Sequence, residues 1–207
     1  MPFLLRVELP DVPGSLGRVA SAIGEAGGDI DAIEIVEHRA DGMAVDDVLL
    51  ETAAGTMPDS IVSACNSLDG VKVVWISRYA AGGNLFLDLE AVEELTAHPA
   101  TALDRLIDLL PATFRADWGA RVRRTENGAE IVHATNAAPE RFEWHDLKRA
   151  ARVYGDDDDN VIAAAPLDTN EIVVIARRGG PEILDSELAR LGHLVTLAGS
   201  IARSATT

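Results

Sequence analysis

The run Asp11-Val12-Pro13-Gly14-Ser15-Leu16-Gly17 holds the residues of this chain best suited to chemistry. It follows an alternating apolar stretch and opens a helical one, so it reads as a turn at a helix N-terminus. The first backbone N–H groups of a helix have no partner inside it, and the helix dipole adds partial positive charge. Such a turn suits the carboxylate of a small molecule. Gly14 is the pivotal position. Either a side chain there would block a ligand from the backbone, or glycine merely starts the helix after Pro13. Asp11 could orient the turn by accepting its N–H groups, or could simply cap the helix. Asp29, Ile30 and Asp31 begin a later strand; its acids are either neighbours of the same site or ordinary exposed strand-end charges.

No catalytic set accompanies this turn. His38, His98, His133, His145 and His193 are scattered, with no metal-ligand spacing between them. Each reads as a surface or packing residue, His193 on the polar edge of the last helix. Cys65 falls on an apolar helical stripe, as a small hydrophobe would. There is no Gly-x-Ser-x-Gly elbow, and Gly14-Ser15-Leu16-Gly17 is not followed by Gly-Lys-Ser/Thr. The acidic run 156–159 lacks the glycine and distal glutamate of a calcium loop, so it reads as solvated. We therefore expect no enzyme, no metal and no cofactor.

The elements that must position the turn occupy residues 1–79. Phe3, Leu5, Val7 and Leu9 alternate as one face of a strand, and Leu16, Val19, Ala20 and Ile23 recur at helical spacing. Gly27-Gly28 closes that helix. Strands follow at about 29–38 and 43–52, joined through Asp41-Gly42. Pro58 opens a second helix carrying Ile61, Ala64, Cys65 and Leu68, which Asp69-Gly70 ends. Residues 71–77 form a fourth strand. The order βαββαβ implies a ferredoxin-like α/β sandwich: an antiparallel sheet with both helices on one face.

These residues carry a resemblance. Asp11-Val12-Pro13-Gly14-Ser15-Leu16 after the first strand, with Gly27-Gly28-Asp29-Ile30-Asp31 entering the second, resembles the ACT domain, a small amino-acid-sensing regulatory module. The resemblance implies a ligand site formed by Asp11, Val12, Pro13, Gly14, Ser15 and Leu16 of one copy with Asp29, Ile30 and Asp31 of a paired copy. It implies a homodimer and a small-molecule effector, an amino acid. Asp29 departs from the asparagine common in that family: a carboxylate there would repel a ligand carboxylate and hold an amino group.

Residues 80–84 contain Gly82-Gly83 and read as a linker. From 85 to 207 the pattern is a helix with Leu85, Leu89 and Val92 on one side, then a helix opened by Thr101 with Asp104 and stopped by Pro111. A hairpin follows, 118–125 and 129–135 around Asn127-Gly128, then a crossing segment with a short helix at 146–152. Strands at 161–165 and 171–177 lead to a long closing helix, 184–203. Its broad apolar face predicts packing on a sheet and on another helix, from this chain or a second subunit. Ala163-Ala164-Ala165-Pro166-Leu167, the run 172–178, Pro181 and Ser186-Glu187-Leu188-Ala189 resemble a short GAF domain. That resemblance implies a second α/β domain with an antiparallel sheet. Trp118, Phe142, Trp144 and Tyr154 either line a pocket there or anchor its core.

The formal charge of −16, from 34 acids against 18 bases, sets this chain against phosphate backbones, so no nucleic-acid partner is expected. Arg121, Arg123 and Arg124 make no basic patch. No apolar run approaches a membrane span and no signal peptide is visible, so a cytoplasmic protein is expected. The overall expectation is a non-catalytic regulatory sensor whose output passes through its own dimer or a further protein partner. The alternative is a protein-interaction scaffold with degenerate ligand sites.

Overall fold

The computed structural model describes residues 2–53, 55–78, 83–126, 128–154 and 160–205. The chain divides between Gly83 and Asn84 into two compact units. The first has the order β1 (Pro2–Pro10), α1 (Ser15–Glu25), β2 (Gly28–His38), β3 (Met43–Thr52), α2 (Pro58–Asn66) and β4 (Lys72–Arg78). Its sheet order is β2-β3-β1-β4, with every pair antiparallel. This is the expected ferredoxin-like arrangement. Phe3, Leu5, Val7 and Leu9 meet Val48, Leu50, Val19, Ile23, Ile61 and Cys65 in one core, so both helices cover the same face. The α1 stripe differs from expectation: Ser15, Val19, Ala22 and Ile23 are buried and Ala20 is not. Alternation sends the other residues of β1 and β3 to the opposite face. There Arg6 and Asp47, directly paired across the strands, form a buried double hydrogen bond of 2.7 and 2.9 Å.

The second unit begins with α3 (Gly83–Ala97), a single 3-10 turn (Pro99–Thr101) and α4 (Ala102–Phe114). Gly83 and Asn84 therefore belong to a helix; the rest of the expected linker, 80–82, lies outside the described residues. Helix α3 is also turned from the expected stripe. Ala91 and Leu95 are buried while Leu89 is 58% exposed, and Asp88 bonds Arg190 of the last helix at 2.7 and 2.8 Å. Thr101 does not cap α4; its hydroxyl accepts from Arg105 instead. Nor does Pro111 stop α4. Proline removes the donor that Ile107 O would receive, but that carbonyl lies against Gly119, where a Cβ would come within 3.1 Å. The helix continues to Phe114 and ends at Arg115 in the left-handed region, φ 49°.

Strands β5 (Trp118–Thr125), β6 (Gly128–Ala134), β7 (Ala151–Val153), β8 (Asn160–Pro166) and β9 (Glu171–Arg178) form an antiparallel sheet ordered β6-β5-β9-β8-β7, closed by α5 (Asp185–Ser204). Asn127 of the expected hairpin turn and the acidic run 156–159 lie outside the described residues. One sheet face, with Ala163, Ala165, Val173 and Ile175, packs on α4 and α5. The helix partner of the broad α5 stripe is thus α4 of the same chain. The other face, with Trp118, Val122, Ile162 and Val174, is covered by Phe142, Trp144 and Leu147 of the crossing segment. That segment has no helix at 146–152, contrary to expectation. It must travel from edge strand β6 to edge strand β7, roughly 19 Å at ~4.8 Å per strand gap, which extended chain spans far more cheaply than helix.

Candidate functional site

Strand β1 delivers the turn at the end of the first sheet. Asp11 N donates to Gly42 O at 2.9 Å, tying the turn to the β2–β3 hairpin, and Val12 N returns to Pro10 O. Gly14 is the N-cap of α1 with φ 92°, a conformation that strains residues with a Cβ. A Cβ there would meet nothing within 4 Å, so backbone conformation, not crowding within the chain, selects glycine and the space beside it is open. Ser15 N donates to Val12 O and Arg18 N to Gly14 O. The N–H groups of Gly14, Leu16 and Gly17 have no acceptor among the described residues. No side chain caps the helix and no acid stands in its first turn. The Asp11 carboxylate neither caps nor orients the turn N–H groups; it pairs with His38 Nδ1 at 2.8 Å.

Two buried polar groups stand behind this turn. Asp46 is paired across the strands with Val7, so its side chain lies on the helix side of the sheet. It is 2% exposed, and its Oδ1 has no hydrogen-bond partner. Ser15, 3% exposed at the start of α1, likewise has an unpartnered hydroxyl. Burial raises the Asp46 pKa; His38 opposes this, while the nearby Asp11 and Asp47 carboxylates reinforce it. Sequence reasoning overlooked Asp46. The available signal was two consecutive acids, Asp46-Asp47, in the middle of an apolar strand, one for each face.

Asp29, Ile30 and Asp31 are not brought to this turn. Asp29 pairs with Glu51 at one end of the sheet and Pro10 pairs with Met43 at the other, a separation of about 26 Å along β3. Asp31 is the extra residue of a β-bulge, between Ile30 and Ala32. Within one copy the two halves of the expected site are apart.

Residues 3–57 match the ACT domain. The match runs from β1 to the residue before α2, and the structure completes the ACT-type domain with α2 and β4. No curated protein matches the chain. Among solved structures, the chain is similar to the GAF domain of Acinetobacter phosphoenolpyruvate-protein phosphotransferase, at 11% identity and TM-score 0.47 over 61% of this chain and 96% of that one. It is similar to a GAF domain from Pseudomonas syringae pv. tomato, at 16% identity and TM-score 0.48 over 59% and 89%. A formyltetrahydrofolate deformylase from Pseudomonas putida is similar at 10% identity and TM-score 0.31, over 47% of this chain and 38% of that one.

The remaining chemistry-bearing residues have local partners. Arg121 contacts Asp104 and Glu171, Arg123 contacts Glu171, and Arg124 contacts Asp146. His133 lies 2.9 Å from Asp108, and His98 beside Glu94. His193 is exposed on α5. Cys65 is fully buried, which pushes its thiol pKa up. Trp118 is buried with Phe142 edge-on at 6.4 Å, and Trp144 packs nearby, whereas Tyr154 is 85% exposed and takes no part in that core. Among the described residues no helix is long and apolar enough to cross a membrane, and no group of three metal-ligating side chains occurs.

Proposed function

We propose that the ACT-type domain binds a free amino acid and that the chain is a non-catalytic regulatory sensor. The observation that carries this reading is the pairing of opposite needs at one end of the sheet. Three unaccepted N–H groups, on Gly14, Leu16 and Gly17, suit a carboxylate. Behind them, Asp46 is a buried acid lacking a cation. A zwitterion supplies both, its carboxylate to the turn and its ammonium to Asp46. A buried carboxylate without a partner is costly, so an ammonium there gains the full difference.

Strand β2 is an edge strand of eleven residues with Ile35 half exposed, a feature that favours pairing with a second copy. Antiparallel pairing of two β2 edges about a two-fold axis would set the Asp29–Asp31 start of one copy beside the His38 end of the other. That brings it to the Asp11–Leu16 turn, so the effector is enclosed between copies and reports through dimer packing. The alternative scaffold reading is favoured by Phe86 and Leu89, exposed apolar residues on α3 that a protein partner could cover.

The deciding experiment is a thermal-unfolding screen of the whole chain against the free amino acids, repeated with Asp46→Asn. An effector at 100 times its Kd adds about 2.7 kcal/mol, a shift of several degrees. A shift with one or a few amino acids that Asp46→Asn abolishes supports the sensor. No shift with any amino acid, or one indifferent to Asp46→Asn, removes this reading and favours the scaffold.

A further inference from the structure

Residues 148–152, which lead into edge strand β7, lie alongside α5 and enclose with it a groove of about 610 Å³, with Pro166 at the end of β8 on its wall. Arg152 bonds Asp185 at 2.8 Å and pairs with Glu182 at 2.9 Å, at the start of α5. Two residues earlier, Ala150 faces Gly192, where a Cβ would stand 3.6 Å from the Ala150 Cβ. The segment therefore runs antiparallel to α5, and Lys148 and Arg149 come to the end of the groove lined by His193 and Thr196. From Asp185 to Thr196 the helix wall is about 16 Å long, at ~1.5 Å per residue. Between these ends Leu188, Ala189 and Gly192 share one face of α5, opposite Ala150 and Ala151, so the middle of the groove is apolar and mostly small.

The two ends of the groove differ in charge. Three cations line it, Lys148, Arg149 and Arg152, against one acid, Asp185, in a chain where acids outnumber bases 34 to 18. Arg152 is already held between Asp185 and Glu182, so within the lining the surplus of positive charge lies at the other end. There an ammonium, a guanidinium and the His193 ring offer donors on exposed side chains. Such donors take carboxylate or phosphate oxygens, and the small-residue wall leaves room for a slim apolar body. The volume falls within the range of small-molecule sites, about 300–1,000 Å³. We propose that this groove is a second ligand site, independent of the ACT-type domain, for an elongated molecule with one anionic end. The anion sits among Lys148, Arg149 and His193, and the body runs along Gly192, Ala189 and Leu188 toward Asp185. Carboxylate and phosphate share this chemistry, and the test separates them.

The test is isothermal titration calorimetry on the whole chain with hexanoate, hexyl phosphate, the neutral hexanamide, and acetate and inorganic phosphate, which lack the body. Hexanoate or hexyl phosphate should bind about 10-fold more tightly than hexanamide and than its own short anion, one charge-assisted contact being worth about that factor. Whichever of the two binds more tightly names the anionic group. Lys148→Gln with Arg149→Gln should weaken binding by about 10-fold with Tm unchanged, since both side chains are exposed. Gly192→Leu fills the groove where α5 meets Ala150 and should abolish binding with both cations still in place. Asp46→Asn should leave binding unchanged. The proposal is overturned by equal binding of hexanamide or of the short anions, by full affinity in the Lys148→Gln, Arg149→Gln pair or in Gly192→Leu, or by no binding of either hexyl anion at millimolar concentration. Loss of binding in Asp46→Asn would also overturn it, by assigning the anion to the first unit.

Discussion

His38 Nδ1 stands 2.8 Å from the Asp11 carboxylate, joining the last residue of β2 to the first residue of the turn that opens α1. The contact is between two half-exposed side chains, so it holds the turn more than it stabilises the fold. His38→Ala should change unfolding free energy by less than about 1 kcal/mol. Amino-acid affinity should fall more visibly, by a few-fold, because the turn loses its anchor to β2. Equal affinity in calorimetry would show that the Asp11 N–H to Gly42 bond suffices to hold it.

Asp46 predicts a pH dependence of definite sign. Its folded pKa is raised, chiefly by burial, so the native state holds its proton to higher pH than the unfolded state does. Stability contributed by this site therefore falls as pH rises from the unfolded value of about 3.9 through the folded value, and then levels off. Asp46→Asn should remove that slope and raise Tm at neutral pH. At a pH below its folded pKa, Asp46 should ionise and release a proton when an ammonium group binds, read as a calorimetric enthalpy that depends on the buffer. A Tm of Asp46→Asn below the parent at neutral pH would contradict the argument.

Asp47, one residue on, should behave in the opposite way. It is fully buried and doubly hydrogen-bonded to Arg6, and Asp47→Ala removes both of these bonds from a buried guanidinium. We expect a loss of about 3–5 kcal/mol in denaturant unfolding. Replacing both partners together, Arg6→Met with Asp47→Leu, should recover most of it.

The second unit has an equivalent anchor. Arg177 bonds Phe114 O at 2.7 Å and pairs with Glu187, whose other oxygen accepts from Leu184 N at 2.8 Å. This one carboxylate joins β9 to α5 and satisfies the backbone that enters α5. Glu187→Ala should cost about 3–5 kcal/mol, and Glu187→Gln less. Both are measurable by urea unfolding.

Gly14→Ala should destabilise by about 1–2 kcal/mol, the cost of a left-handed backbone for a residue with a Cβ. Gly14→Asn should cost less, since asparagine tolerates that conformation. The order Gly, Asn, Ala in Tm would confirm backbone conformation as the reason for glycine. Equal losses would point to crowding instead.

Much of this was legible in the chain because it depends on near neighbours. Alternation at Phe3, Leu5, Val7 and Leu9 and in the runs 43–52 and 118–125 marked strands to within a residue or two. The Asp11–Leu16 turn declared a helix start, since unpaired N–H groups follow from local geometry alone. Strand alternation alone sends Asp46 and Asp47 to opposite faces, a signal that the sequence reading overlooked. It could not say which would meet a cation, because Arg6 lies 41 residues from Asp47 and only strand register joins them. The same non-local pairing placed Asp29–Asp31 at the far end of the sheet from the turn. Propensity suggested a helix at 146–152 and a helix end at Pro111. The width of a five-stranded sheet overrode the first, and the close approach of Gly119 to Ile107 O accompanies the second. Residue type and spacing determined the elements and the turn; the partners of buried charges, and what each pocket leaves unpaired, depend on contacts between distant segments that only the folded chain creates.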